Sequence, residues 1–186
     1  MTTATEKSID ELMERASSAL VTTDYFEAER LALKAMLRAR RANDFERMAR
    51  ICLPLQEARR QRRHEAVDSG ESFIVSALPG RDEHLRPGCY VVEPPLVGIE
   101  GRAIRERAGR RRIPVIVLVR EPITLAGKWP IVGVGMGEWE PVVIRIQVDP
   151  PSDPLMPDAT WVLASIEALG DAAIAKVNSA WPADHR

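Results

Sequence analysis

Cysteine is scarce in this sequence, and the two that occur, Cys52 and Cys89, lie far apart. No C-x-x-C pair is present, so the chain carries neither common zinc-site spacing nor a disulfide framework. The longest uncharged apolar run is IPVIVLV, residues 113–119, far shorter than the roughly 20 residues of a membrane-spanning helix. The opening residues, MTTATEKSIDEL, lack the apolar centre of a secretory signal. We therefore expect a soluble protein of the reducing cytoplasm that does not enter a membrane.

An excess of charge of either sign is also absent, since 26 basic residues face 27 acidic ones and the net charge is −1. The chain as a whole thus has no electrostatic reason to bind nucleic acid or an anionic membrane. A hydrophobic content of 45% with 28% charged residues is ordinary for globular domains. The length of 186 residues suits one domain or a small pair of domains.

Signatures of catalysis are missing as well. The three histidines, His64, His84 and His185, stand near neither a cysteine nor one another, so zinc or cysteine–histidine chemistry is not predicted. Neither G-x-G-x-x-G, a phosphate-binding P-loop nor the G-x-S-x-G elbow of serine hydrolases occurs. We predict no catalytic residue, no metal and no cofactor. Enzymatic activity stays open, although a non-enzymatic role is favoured.

Residues 8–67 follow the helical period, after a short N-terminal stretch, residues 1–7, that we expect to be disordered. Three segments each begin with the spacing of a capping box, and only a few residues separate them. Helices joined by such short links pack as antiparallel neighbours. The sequence therefore predicts a three-helix module. Its three starts pair Ser8 with Glu11, Asp24 with Glu27 and Asn43 with Glu46.

The third of these segments carries a proline. Pro54 lacks a backbone donor and its ring crowds the preceding turn, so a kink or a break is expected near Leu53. The apolar stripe after Asn43 indicates which side of the helix faces the core, and this stripe ends at about Ala58. Its members are predicted to be Phe45, Met48, Cys52 and Leu55.

The stretch DYFEAERLALKAM, residues 24–36, resembles the second helix of a tetratricopeptide repeat. The likeness covers residues 8–66, about one unit and an extra helix, with departures at Ala19 and Arg40 and a recurrence after 20 residues instead of about 34. It implies a concave surface that holds a peptide or a partner helix, with Tyr25 and Leu31 as candidate contacts. The alternative is close packing inside a three-helix bundle. The matching residues are Asp24, Tyr25, Ala28, Ala32 and Ala35, with Ala16 in the first helix.

The end of the helical half is strongly basic. The run ARRQRR places four arginines within one arc of the helix. Such a face binds phosphates in some proteins and more often is solvated or pairs with acidic groups. We name Arg59, Arg62 and Arg63 as candidate partner contacts, and nucleic-acid binding as a weaker alternative.

Residues 71–180 predict a mixed α/β domain, followed by a tail at 181–186. The apolar runs FIVSAL, CYVVE, IPVIVLV, WPIVGVG and VVIRIQV indicate five strands. The helical pattern GIEGRAIRERAG lies between the second and third, so those two strands should be parallel. The last two strands should be antiparallel, and Asp158 should cap a closing helix that covers one sheet face. The predicted fold class is thus α+β or α/β: a helical module, a mixed five-stranded sheet with one βαβ crossover, and a C-terminal covering helix.

Ligands of open α/β sheets collect beyond the carboxyl ends of the parallel strands. We therefore predict an anionic-ligand or nucleotide pocket there. Gly98 and Gly101 have turn formation and close packing as an alternative role, and the arginine-rich stretch 102–112 could clamp an anion or form an internal ion network. The predicted pocket residues are Glu93, Gly98, Gly101, Arg102, Arg120 and Glu121.

Large aromatic side chains complete the list of candidate sites. Trp129 and Trp139 flank the glycine-rich PIVGVGMGE, and interfaces favour tryptophan and arginine. Our leading interpretation is a cytoplasmic interaction or scaffold protein with a protein partner, and homodimerisation is a further option. An anionic-ligand-binding or enzymatic domain is the second interpretation.

Overall fold

The computed structural model describes residues 4–80, 83–136, 141–178 and 180. The chain divides into two compact units, and the boundary lies between His64 and Glu65, a few residues before the end of the predicted helical module. The predicted tail, residues 181–186, and the first three residues lie outside the described part of the chain.

The first unit consists of three helices: α1 (Ala4–Val21), α2 (Tyr25–Arg41) and α3 (Phe45–Asp68), where α3 continues into the second unit. The two links have the same geometry. Thr23 and Asn43 adopt positive φ values of 59° and 54°. The Asp24 side chain accepts a hydrogen bond from Glu27 N at 3.0 Å, and Asp44 accepts one from Arg47 N at 3.0 Å. Each aspartate satisfies an amide of the first helical turn that has no backbone partner.

Small residues let the helices of this unit approach closely. Ala28, Ala32 and Ala35 of α2 are fully buried, and so is Ala16 of α1. An alanine side chain leaves little distance between helix axes, so these positions support the antiparallel pairing of α1 with α2. The helical core combines residues of all three helices, namely Ile9, Leu12, Ala16, Leu31, Ala32, Ala35, Ala39, Ile51 and Leu55.

Several local predictions for the helical unit need correction. Helix α1 begins at Ala4, so Ser8 is an interior residue, and Arg38 donates a hydrogen bond to its hydroxyl. The cap of α3 is Asp44, because Asn43 occupies the left-handed turn position. These corrections move helix starts by one to four residues and leave the number of helices unchanged.

Helix α3 also differs from its prediction at the proline. The helix is continuous from Phe45 to Asp68 with Pro54 inside it, so no break occurs near Leu53. A single missing donor costs one helical hydrogen bond, and packing on both sides keeps the helix intact. Of the predicted apolar stripe, Leu55 is buried and Met48 packs against the core, whereas Phe45 and Cys52 are exposed. Ile51, which the predicted stripe did not include, is buried instead.

The second unit contains a five-stranded sheet: β1 (Ser72–Val75), β2 (Gly88–Val92), β3 (Val115–Arg120), β4 (Trp129–Met136) and β5 (Pro141–Val148). The strands follow one another in sheet order, β1-β2-β3-β4-β5. The first three are parallel, and β4 is antiparallel to both of its neighbours. Helix α4 (Gly98–Arg110) connects β2 to β3, which confirms the βαβ crossover, and α5 (Ala159–Ala175) closes the unit.

Each face of the sheet has its own apolar core. Val91, Leu118 and Ile131 point to the face covered by α5, where Val162 packs on them. Val92, Val119 and Val132 point to the opposite face, where they meet Ile104 of α4. Asp158 caps α5 by accepting a hydrogen bond from Trp161 N at 2.9 Å, as predicted. The mixed sheet with a covering C-terminal helix is therefore confirmed.

Candidate functional site

The carboxyl ends of the parallel strands carry an ion pair on the α5 face. Arg120, the last residue of β3, donates a hydrogen bond from Nη2 to Oε2 of Glu93, which follows β2. The guanidinium carbon of Arg120 lies 4.7 Å from the ring centroid of Trp129. Trp129 is buried and meets Trp161 of α5 edge to face, with ring centroids 5.6 Å apart. Two of the four charged residues predicted for a ligand pocket, Glu93 and Arg120, thus contact one another.

The other charged residues of the predicted pocket lie elsewhere. Glu121 accepts two hydrogen bonds, of 2.9 and 3.0 Å, from Nε of Arg145 on β5. Arg102 pairs with Glu106 one turn further along α4, at 2.6 Å. Because Arg120 and Glu121 are neighbours at a strand end, their side chains leave the sheet on opposite faces. The six predicted residues therefore do not converge on one cavity.

Gly98 and Gly101 hold α4 close to the sheet. A β-carbon on Gly98 would lie 2.5 Å from Cγ2 of Val134, and one on Gly101 would lie 2.2 Å from Cγ2 of Val119. Real β-carbons do not approach other atoms so closely, so both positions exclude a side chain. Close packing, the alternative role in the sequence analysis, is the role these contacts show.

The arginine-rich stretch of α4 holds the segment that connects β1 to β2. Arg107 donates from Nη1 to the carbonyl oxygens of Pro79 and Gly80, at 2.9 and 2.8 Å. Arg111 donates from Nη1 to the carbonyl of Glu83 at 3.0 Å. These three hydrogen bonds go to backbone carbonyls, whereas carboxylates or phosphates were the expected partners. The backbone at Pro79, Gly80 and Glu83 is thus held by guanidinium groups from the neighbouring helix.

In the helical unit, two of the predicted basic contacts converge on one carboxylate. Arg59 donates to Glu29 of α2 at 2.8 Å, and Arg62 donates to the other oxygen of the same carboxylate. Arg62 also lies over the ring of Phe26, with its guanidinium carbon 3.9 Å from the centroid. Burial raises the pKa of Glu29, but hydrogen bonds and charge from Arg59 and Arg62 outweigh it, so this pKa stays below its ordinary value. Arg63 is half-buried and takes no part in the Glu29 contacts.

The two contacts predicted from the tetratricopeptide resemblance are not both accessible. Tyr25 is half-buried at the first position of α2. Leu31 is only 2% exposed and belongs to the core of the helical unit. Leu31 thus cannot contact a partner without unfolding of the unit, which corrects its prediction as a docking residue.

A groove that the sequence analysis missed lies between the second half of α1 and the middle of α3, with a volume of about 570 Å³. Leu53 at its wall is 69% exposed, and Val21 at the end of α1 is 83% exposed. The signal for it was Leu53, an apolar residue on the side of α3 opposite Ile51 and Leu55. The groove is lined by Ser17, Leu20, Leu53, Pro54, Gln56, Glu57 and Arg60.

The remaining predicted contacts are the two tryptophans. Trp129 is buried within the sheet unit and stacks on Arg120, so it forms part of the core. Trp139 lies outside the described residues. Within the described ranges, no three histidine, cysteine, aspartate or glutamate side chains are grouped as a metal ion requires, and no helix there is long and apolar enough to cross a bilayer.

Comparisons with protein-family models, with curated proteins and with solved structures found no match to this chain. The groove between α1 and α3 and the paired charges of the sheet unit are therefore the features from which a function can be inferred.

Proposed function

We propose that this chain is a cytoplasmic protein-interaction module whose helical unit docks a helix of a protein partner between α1 and α3. The observation that supports the proposal is the exposed apolar lining of the groove. Leu53, 69% exposed, stands beside Leu20 and Pro54 in a depression of about 570 Å³. Burying such side chains contributes roughly 25 cal/mol per Å² of apolar area removed from water.

The geometry of the walls favours a helix as the occupant. Arg47 near the start of α3 pairs with Asp10 near the start of α1, and Ala58 later in α3 packs with Ala19 later in α1. Helices α1 and α3 thus run in the same direction, with the groove between them. Apolar residues of a partner helix at i, i+3 and i+4 would lie in such a groove. The tetratricopeptide resemblance implies the same kind of occupant, a peptide or partner helix.

The rim of the groove offers polar groups of both signs. Glu57 accepts two hydrogen bonds of 2.9 Å from Arg60 and one of 2.7 Å from the amide of Gln61. These bonds hold the pKa of Glu57 down at about 2, so the Glu57 carboxylate is ionised at neutral pH. An apolar centre with a polar rim is the usual composition of a protein-binding surface.

The competing interpretations have less support from the contacts. An anionic ligand at Arg120 would have to displace the Glu93 carboxylate. Nucleic-acid phosphates would have to compete with Glu29 for Arg59 and Arg62. Placement in the reducing cytoplasm is supported by Cys52, an exposed thiol without a disulfide partner.

The test is affinity purification of tagged full-length chain from native lysate, comparing Leu53→Glu with Leu37→Glu. Leu37 is 55% exposed on α2 and does not line the groove, so it is a matched control. We expect Leu53→Glu to lose a partner that the wild type and Leu37→Glu retain, with the same helix content by circular dichroism. Retention of every partner by Leu53→Glu would contradict the proposal. A wild-type dimer that Leu53→Glu converts to a monomer would identify the occupant as a second copy of the chain.

A further inference from the structure

A second cavity, of about 470 Å³, lies in the sheet unit beside β1. Three successive residues of β1 line it, Phe73, Ile74 and Val75, and the lining is completed by residues 76–79, residues 83–86 and Tyr90 of β2. Successive side chains of a strand point to opposite faces of the sheet, so three in a row can border one cavity only along the edge of the strand. β1 is an edge strand, and β2 is its single neighbour in the sheet. The cavity therefore follows the open edge of the sheet.

The backbone of β1 presents hydrogen-bonding groups to this cavity. Cys89 N donates to Glu71 O and Glu93 N donates to Val75 O, both at 2.9 Å. The residues that face β2 are thus 71, 73 and 75, and the amides and carbonyls of Ile74 and Ser76 point the other way. In the part of the chain that the structure describes, neither Ile74 nor Ser76 forms a backbone hydrogen bond on that side. An unpaired row of this kind is a template for another strand.

The side of the cavity opposite β1 is held in place. It is formed by residues 83–86, which belong to the connection between β1 and β2. Arg111 of α4 binds the Glu83 carbonyl, and the Tyr90 hydroxyl donates to Arg86 O at 2.8 Å and accepts from Arg86 N at 2.9 Å. Binding in a cavity whose two sides are already fixed costs less conformational entropy.

The side chains around the cavity indicate what it would accept. Phe73 and Tyr90 pack with ring centroids 4.7 Å apart on the α4 face. Arg86 lies over Phe73, 4.7 Å from its centroid, and its side chain is 63% exposed. Its contact with Glu71 is long, 3.6 Å, so the guanidinium can still bind a carboxylate on the same face.

We propose that the open edge of β1 binds an extended peptide of a protein partner as a sixth strand. The peptide places an apolar side chain against Phe73 and Tyr90, and an acidic side chain two residues away against Arg86. Side chains two residues apart in an extended peptide share one face. This surface is independent of the helical groove, since it uses another unit and another secondary structure.

The probes for the test are two capped peptides, TVTETT and TVTKTT, titrated into the full chain. We expect TVTETT to bind about tenfold more tightly than TVTKTT, because only the first can pair with Arg86. On titration, the amide resonances of Ile74 and Ser76 should shift more than those of Phe73 and Val75. Absence of binding by TVTETT, or shifts confined to other residues, would overturn the proposal.

Matched variants locate the binding on the strand edge. Ser76→Pro removes an outward amide and Ser76→Ala keeps it, so only the proline variant should lose about tenfold or more in affinity. Arg86→Gln should bind both peptides equally, and Leu53→Glu should bind TVTETT like the wild type. Equal affinity of Ser76→Pro and Ser76→Ala at equal melting temperature would contradict strand addition. A dimer that dissociates in Ser76→Pro would show that a second copy of the chain is the occupant instead.

Discussion

Arg47 of α3 binds both carboxylate oxygens of Asp10 on α1, through hydrogen bonds of 2.9 and 3.1 Å. The same guanidinium donates to Asp44, the cap of α3, at 2.8 Å. One arginine thus joins α1 to the first turn of α3. The walls of the groove between these helices are held by this contact before any partner arrives, which reduces the entropy lost on docking.

The carboxylate of Glu29 makes the stability of the helical unit sensitive to acid. Its folded-state pKa lies below the ordinary value of 4.5, because Arg59 and Arg62 outweigh the opposing effect of burial. A depressed pKa contributes stability that is present above the ordinary value and is lost as the pH falls through the folded value. We expect the free energy of unfolding, measured with urea, to fall as the pH is lowered below about 4.5.

Glu29→Gln separates this contribution from the other carboxylates. The variant should be less stable than the wild type at pH 7, because two arginines lose their acceptor, and its stability should fall less steeply towards acid pH. Glu14→Gln, which removes an exposed carboxylate of α1, should keep the wild-type profile. An unchanged acid profile in Glu29→Gln would show that the ion pairs with Arg59 and Arg62 do not contribute.

Two glycines of α4 should respond in opposite ways to alanine. Gly101→Ala places a β-carbon 2.2 Å from Val119, so the helix must move off the sheet, and we expect a loss of about 1–3 kcal/mol in the free energy of unfolding. Gly109 has no atom within 4 Å of the same position. Gly109→Ala should therefore gain about 0.5–1 kcal/mol from helix propensity. Urea unfolding of both variants measures the difference, and equal effects would contradict the close packing of α4.

Residue patterns predicted the elements of this fold more fully than their contacts. The runs around Val91 and Leu118 predicted buried strands, and the helical pattern between them predicted a crossover, so the parallel pairing of β2 and β3 could be predicted. The order of the other strands could not be predicted, because alternation shows which face a residue occupies and not which strand lies beside it. The sheet order is set by contacts between residues distant in sequence.

The contacts of charged residues were even harder to predict from the sequence. The arginine runs were visible in the sequence, but the partners of Arg62 and Arg107 are a carboxylate 33 residues away and carbonyls 27 and 28 residues away. Arg120 and Glu93 lie together, as the strand-end rule predicted, but they bind each other and not a common ligand. Helical period likewise misplaced Cys52, because one residue of rotation separates it from the buried Ile51.

Removing Arg120 should cost stability in the sheet unit. Arg120→Gln leaves Glu93 without its guanidinium partner and removes the stacking on Trp129, so we expect a loss of about 1–3 kcal/mol and a change in tryptophan fluorescence. Arg145→Gln breaks the exposed pair with Glu121 and should leave the urea midpoint unchanged. If Arg120→Gln unfolds at the wild-type midpoint, the pair with Glu93 is not structural, and the anionic-ligand interpretation of Arg120 regains support.

The two thiols should differ in reactivity because their surroundings differ. Cys52 is exposed on α3, whereas Cys89 is buried in β2, and burial raises the pKa of the Cys89 thiol to about 11 from an ordinary 9.0. Only the thiolate attacks a disulfide reagent, so at pH 8 Cys89 carries about a hundredfold less thiolate than a thiol with the ordinary pKa of 9.0 would, even before its inaccessibility is counted. We expect one thiol per native chain to react quickly with an aromatic disulfide, and the second only in urea. Cys52→Ser should abolish the fast phase and Cys89→Ala the slow one. Because the slow phase requires opening of the sheet, its rate also reports the stability of the unit that carries the β1 edge. Two thiols reacting at one rate in the native protein would contradict the burial of Cys89.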